Sequence, residues 1–169
     1  MTPAPQFPRL RAANPADAEA IADLFLASRG AAMPWLRDVH GRDETVRFFR
    51  TVVPSRTEIW VAEGTDGGLA GFIAFGGGWV EHLYVAPERQ GQGLGGRLLD
   101  LAMARNQVLD LWAFARNPSA RAFYERRGFR LVEATDGSGN EEREPDIRYR
   151  WARALLRQRP APRRSTPPR

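Results

Sequence analysis

The stretch from Ala86 to Asn106, "APERQGQGLGGRLLDLAMARN", constrains this chain more than any other. It places glycine at 91, 93, 95 and 96, and then Leu94, Leu98, Leu101 and Ala102 repeat at helical spacing. A tight turn between a strand and a helix needs one or two glycines. Four in six positions suit a backbone that must come close to a phosphate, with the positive end of a helix dipole behind it. Two patterns overlap in these letters. Gly91-x-Gly93-x-x-Gly96 is a dinucleotide fingerprint, and Gln90-x-x-Gly93-x-Gly95 is a pyrophosphate loop of different chemistry.

What precedes the loop decides between them. "TEIWVAEGTDGGLAGFIAFGGGWVEHLYVAP" reads as three strands, Glu58–Glu63, Leu69–Phe75 and Trp79–Val85, joined by glycine-rich turns short enough to require antiparallel pairing. Upstream, a short strand surrounds Leu10. A helix capped by Asn14-Pro15 then carries Ala18, Ile21, Leu24 and Phe25, and a second runs from Asp43 to Val53 with Val46, Phe49 and Val53 on one face. Downstream, "VLDLWAFA" is a strand, Asn117-Pro118 caps a helix ending at Gly128, and "FRLVEA" with "DIRYRW" forms a final hairpin. The expected order is β-α-α-β-β-β-α-β-α-β-β, a mixed α/β (α+β) fold with helices on both faces. A nicotinamide-binding domain would place its glycines after an early strand and continue with several βαβ units. Arg116 at the end of the next strand could suit the 2′-phosphate of NADP, so an NADP-binding oxidoreductase stays as an alternative on that test, and topology opposes it.

At 169 residues the chain holds one ordinary domain, expected over 1–151. All 25 basic residues are arginine, and six of them fall in "ARALLRQRPAPRRSTPPR", residues 152–169, which contains no acid. Without that segment the charge is near zero, so the net +5 belongs to a tail whose Pro/Arg composition marks it as disordered. The tail lacks interleaved aromatics, which disfavours a nucleic-acid partner. No run is long and apolar enough for a membrane span or a secretory signal, and a cytoplasmic location is expected. The absence of cysteine excludes thiolate chemistry, and two histidines 42 positions apart offer no metal-ligand spacing, so no metal is expected.

"VEHLYVAPERQGQGLGGRLLD" followed by "LWAFARNPSARAFYERRGF" resembles the GNAT superfamily of acyl-CoA-dependent N-acetyltransferases, through its glycine loop and its later N-x-x-A-x-x-F-Y-x-x-x-G-F signature. The resemblance implies a splayed sheet with acetyl-CoA as cosubstrate. Leu83, Tyr84 and Val85 would offer backbone to the pantetheine arm, and Gln90, Gly91, Gln92, Gly93, Gly95 and Gly96 would cradle the pyrophosphate. Asn117 would touch the arm, although Asn-Pro is also an ordinary helix cap. Tyr124 would stand near the leaving sulfur, where it could donate a hydrogen bond or simply pack beside Phe123. The implied reaction is direct transfer of acetyl to a primary amine, on a small molecule or peptide terminus, through a tetrahedral intermediate. A non-catalytic acyl-CoA sensor or partner-binding module is the reading from another class, and the family leaves a homodimer open.

An alkylamine of pKa about 10.4 must lose a proton before it attacks. Strand alternation puts Glu81 on the face of Leu83 and Val85, which makes it the leading base. A bulge would bring His82 forward instead, and a water chain is the third route. For the acceptor, "AMPWLRDVH" offers Met33, Trp35 and Leu36 as an apolar wall with His40 at its edge. "GSGNEEREPD" sets Glu141, Glu142, Glu144 and Asp146 against the single Arg143. Those acids form an expected rim for a cationic amine.

Overall fold

The computed structural model describes residues 8–154. The expected disordered tail lies, apart from its first three residues, outside the described residues. The chain stays ordered past the boundary expected at 151: the last strand includes Ala152, and the Arg153 N–H donates to the Gln107 carbonyl at 2.7 Å.

Strand β1 (Arg9–Ala12) leads to a capping box in which the Asn14 side chain accepts from the Ala16 N–H while Asp17 accepts from the Asn14 N–H. One 3₁₀ turn follows, and then helix α1 (Ala18–Ala32) buries Ala18, Ile21, Ala22 and Leu24. The helix expected over 43–53 is not uniform. It begins as α2 (Arg42–Arg47), widens to a π turn over Phe48–Val52 and tightens to 3₁₀ at Val53–Ser55, where Pro54 cannot donate. Val46, Phe49 and Val53 nevertheless reach one core.

Strands β2 (Glu58–Glu63), β3 (Leu69–Gly76) and β4 (Trp79–Val85) form the expected antiparallel meander. β3 is apolar almost throughout because both of its faces are covered. Phe72 and Ala74 face α1 and α2, while Ile73 and Phe75 face α3 (Leu94–Arg105). β5 (Val108–Phe114), α4 (Pro118–Arg126), β6 (Arg130–Ala134) and β7 (Asp146–Ala152) complete the order read from the sequence. The sheet runs β1-β2-β3-β4-β5-β7-β6, so β7 inserts between β5 and β6.

The junction of the two halves is the functional feature of the fold. β4 and β5 are parallel and share one register pair, Trp79 with Asp110, beside which the Asp110 N–H donates to Gly78 at 2.8 Å. Beyond it the strands part, leaving the free edge of Leu83–Val85 facing a gap. Asp110, 4% exposed, anchors this end through a two-pronged bond from Arg150 on β7, at 2.6 and 2.7 Å, with Arg148 at 3.6 Å. Hydrogen bonding from Arg150 holds the Asp110 carboxyl below the ordinary carboxylate range. Its stabilisation is therefore present at neutral pH and is lost as pH falls below about 4. Asp110→Asn keeps the size and removes the charge, and it should lower unfolding free energy by about 1–3 kcal/mol at pH 7 in urea titrations. The deficit should narrow toward pH 3.

Candidate active site

Gly93 closes the loop before α3 in the left-handed region, at φ +79°, and Gly91 lies at φ +73°. Both positions need glycine for conformation, since a Cβ at either would meet open space. Gly96 gives room to a neighbour: a Cβ there would fall 1.6 Å from an Arg127 guanidinium nitrogen, so that flexible side chain would have to swing aside. The loop braces itself. Gln92 donates to the Glu88 carbonyl at 3.3 Å, and Gln90 donates to the Val85 carbonyl at 3.2 Å. Gln90 thus ties the loop to the strand expected to receive pantetheine.

The loop, the parted end of β4 and the start of α4 enclose a groove of about 570 Å³. Of the residues assigned to the cosubstrate, Leu83, Tyr84, Val85, Gln90, Gly91, Gly93, Gly95, Gly96 and Asn117 line it, together with Tyr124. Gln92 faces away, toward Glu88. The residues fit a pantetheine-pyrophosphate ligand: a strand edge unpaired among the described residues, glycine backbone at a helix start, and an arginine-rich mouth of Arg89, Arg126 and Arg127. The arginines escaped the sequence reading. Arg126 and Arg127 stood inside a motif read for its aromatics, and only the turn of α4 aims them at the loop. Ser28 and Ala32 at the end of α1 were also missed, and Met33, expected on the acceptor wall, lines this groove instead.

Asn117 caps α4, its Oδ1 accepting from the Ala120 N–H at 3.1 Å, so the cap reading holds while its amide nitrogen is left for a ligand. Tyr124 packs against Phe123 and Phe129, with Tyr149 at 6.5 Å between ring centres. Burial pushes its phenol well above the usual value, and the nearby Tyr84 adds to the shift. Tyr124 is therefore a neutral donor throughout the physiological range.

The base candidates are separated by a bulge. Ala74 pairs with His82 and Phe75 with Val80, so Glu81 is the extra residue. Val80, not Glu81, joins the core on the side of Leu83 and Val85, which corrects the alternation expected for this strand. Glu81 accepts from Arg56 Nε at 3.0 Å. His82 stands among Phe25, Phe48, Phe49 and Phe72, with centroids 5.1–6.5 Å away, and Tyr84 is at 6.4 Å. Desolvation by these rings, aided by Arg56 and Arg29, pushes its pKa down to about 4.

The two segments assigned to the acceptor do meet. His40 Nε2 lies 2.8 Å from Glu141 and its Nδ1 2.8 Å from Glu44. Glu141 and then Glu44 raise the His40 pKa by hydrogen bonding. Trp35 sits edge-on to Phe114 under Arg116, while Met33 and Leu36 are buried. The acids are not an unopposed rim, however. Glu142 pairs with Arg29 at 2.6 Å, Glu144 with Arg116 at 3.3 Å, and Asp146 bonds Thr135 and Asn140. Arg143 instead donates to the Ser138 carbonyl at 2.8 Å. Partners from distant segments neutralise what looks like an acidic run in sequence. A second cavity, about 620 Å³, lies on the opposite face of the sheet, lined by Trp112, Phe114, Glu133, Asn140, Glu142 and Asp146. Arg29 links the two spaces: it pairs with Glu142 of the second and interacts with the Tyr84 hydroxyl, which lines the first.

The histidines give opposite pH signatures. His82 is neutral when folded and ionises near pH 6.5 when unfolded, so stability should fall as pH drops from about 6.5 to about 4. His40, raised by its carboxylates, contributes stability present below about pH 6.5 and lost above it. Melting temperatures across pH 4–8 should show His82→Phe removing the first dependence and His40→Ala the second.

Residues 55–131 match the family model described as an acetyltransferase (GNAT) domain. The peptidyl-lysine N-acetyltransferase YiaC of Escherichia coli strain K12 is 29% identical over 125 residues, covering 73% of this chain and 84% of that protein. Among solved structures, a GCN5-related N-acetyltransferase from Rhodopseudomonas palustris has a TM-score of 0.70 at 23% identity, covering 90% of this chain and 99% of that one. YncA from Salmonella typhimurium, solved with acetyl-CoA, has a TM-score of 0.64 at 19% identity, covering 86% and 93%. Both sequence motifs stand at the parted strands, and over residues 55–131 the chain carries an acetyltransferase (GNAT) domain.

Proposed function

We propose that this acyltransferase moves acetyl from acetyl-CoA directly to a primary amine carried on a peptide or protein. The observation behind this reading is the pair of cavities on opposite faces of the sheet, bridged by Arg29, which pairs with Glu142 of one and interacts with Tyr84 of the other. Direct transfer needs both substrates at once, and this arrangement lets them approach from opposite sides. The second cavity, between the end of β5 and the β6–β7 connection, carries the exposed Trp112 and has room for more than a small amine. The name of the YiaC relative, a peptidyl-lysine acetyltransferase, supports the same class.

The roles follow from the local chemistry. The edge of β4 would hold the pantetheine amides as an added strand would, and the backbone from Gly91 to Gly96 would take the pyrophosphate. A backbone N–H of β4 would steady the thioester oxygen as charge gathers on it. Tyr124 would stabilise the departing thiolate by donating a hydrogen bond. Its elevated pKa disfavours full proton transfer to a thiolate whose thiol has a pKa of about 8.5. Glu81 would take the amine proton through a water relay, since Arg56 holds one of its oxygens and it lines neither cavity. His82, depressed to about 4 and packed among aromatic rings, is a poorer acceptor.

Acetyl-CoA should raise the melting temperature of the parent, and Gly93→Glu should abolish the rise by putting a carboxylate into the loop. Tyr124→Phe should lower kcat by roughly 10²-fold with acetyl-CoA affinity nearly unchanged. Thiol release should be measured with lysine-containing peptides, peptides with a free terminus and small amines. A preference for the small amines would overturn the peptide assignment. Undiminished turnover in Tyr124→Phe would make Tyr124 a packing residue.

A further inference from the structure

Glu133, Glu142 and Asp146 line the cavity assigned to the acceptor, and each meets a different partner. Asp146 gives its oxygens to Thr135 and Asn140, and Glu133, half exposed, lies 3.2 Å from Arg148. Glu142 is held from the other half of the molecule. Arg29 Nη2, in the last turn of α1, donates to it at 2.6 Å, and the two side chains are only 14% and 17% exposed. The guanidinium sits over Phe25, 5.5 Å from the ring centre, and Phe25 meets the Tyr84 ring at 4.9 Å. Arg29 also interacts with the Tyr84 hydroxyl, so the Glu142 carboxylate is tied to the parted end of β4.

An unpaired carboxylate at that place would oppose the reaction. A primary amine arrives as an ammonium ion, and one proton must leave before nitrogen bonds to the thioester carbon and the C–S bond breaks. A carboxylate beside the ammonium stabilises it and raises its pKa by about 1–3. We propose that Arg29 is a positioning residue for the acceptor amine: it holds and neutralises Glu142, so that the cavity receives the amine without keeping its proton. The proton is then free to leave through the water relay to Glu81. The proposal rests on the reading of this cavity as the acceptor site. Partial burial makes the cancellation effective, because little water stands between the two charges to screen them.

From β4 the pair is faced by His82 and Tyr84, and both stay neutral between about pH 6 and 9. Desolvation, with Arg56 and then Arg29 adding to it, holds the imidazole down to about 4, and desolvation holds the phenol above its ordinary value. Along the connection, Glu141 is bonded to His40, Glu144 to Arg116, and Arg143 to the Ser138 carbonyl. His40 is common to every variant below, so its titration drops out of their comparison.

Steady-state kinetics should be measured from about pH 6 to 9 with a lysine peptide and with its aminooxy analogue, whose nitrogen is already unprotonated there. Arg29→Gln should lower kcat for the lysine peptide roughly tenfold at neutral pH, the equivalent of one pKa unit, without raising its KM. The aminooxy peptide should stay within about twofold of the parent rate. Glu142→Gln should instead raise the KM of the lysine peptide, because Arg29 is left to repel the ammonium. Arg29→Gln/Glu142→Gln removes both charges and should bring kcat and KM back toward the parent's. A rise in melting temperature with acetyl-CoA reports an intact groove in each variant. Equal slowing on both peptides in Arg29→Gln, or a double variant no better than Arg29→Gln, would overturn the proposal and leave the pair a structural tie. If Arg29→Gln alone does not fold, the double variant is compared with Glu142→Gln: recovery of KM supports the proposal and its absence overturns it. Trp112→Ala tests the cavity itself. An unchanged acceptor KM there would overturn the cavity assignment and this proposal with it, whereas a raised KM beside an unaltered Arg29→Gln would overturn this proposal alone.

Discussion

Everything functional in this molecule depends on two parallel strands that stop being partners after one residue pair. A strand that loses its neighbour exposes a row of N–H and C=O groups, and elsewhere in a sheet that would be a defect to be covered. Here the exposure is confined to the end of β4, where a ligand with amide groups of its own can replace the missing strand. The anchor that makes this tolerable sits at the other end of the junction. Asp110, buried and gripped by Arg150, fixes β5 to β7, so the gap can open without loosening the second half of the sheet.

The two faces beside the gap have different characters. On the face of α3 and α4 the groove is built from glycine backbone, arginines and two partly buried tyrosines, an environment for a polyanion at one end and a forming thiolate at the other. On the face of α1 and α2, a cluster of phenylalanines holds His82 neutral and supports the Tyr84 ring, which stacks on Phe72. The Arg29–Glu142 pair joins that cluster to the connection between β6 and β7. A partly buried ion pair contributes little net stability once desolvation is charged against it. It does fix where two otherwise independent segments meet, and here they meet at the boundary between the two cavities.

Much of the fold was legible because its signals are local. The bounds of β2 and β4, the Asn14 and Asn117 caps and the helix after the glycines rest on periodicity and capping chemistry that a few neighbouring residues carry by themselves. The pitch changes around Phe48–Val52 were not legible, since packing against the sheet decides them and several pitches fit the same apolar spacing. The bulge at Glu81 was foreseen only as an alternative. Nothing in "WVEHLYV" says which residue the neighbouring strand will skip, and that skip moved Val80 onto the face assigned to Glu81.

The sequence by itself determined the order of elements, the presence of a phosphate-binding helix start and the family, because glycine at positive φ, a cap before a helix and short turns between apolar runs are constraints each segment carries wherever it sits. Charge is the opposite case. "EEREPD" is acidic as a string, yet in the folded chain Arg29, His40 and Arg116 come from far along the sequence to meet its glutamates, and the rim it suggested is neutralised. In the same way Tyr124 is an ordinary phenol in the sequence, and it becomes a very weak acid only when α4 lays it against Phe129 and across from Tyr84. Coulomb and desolvation energies depend on distance through space and on what excludes water, and only the tertiary structure sets either.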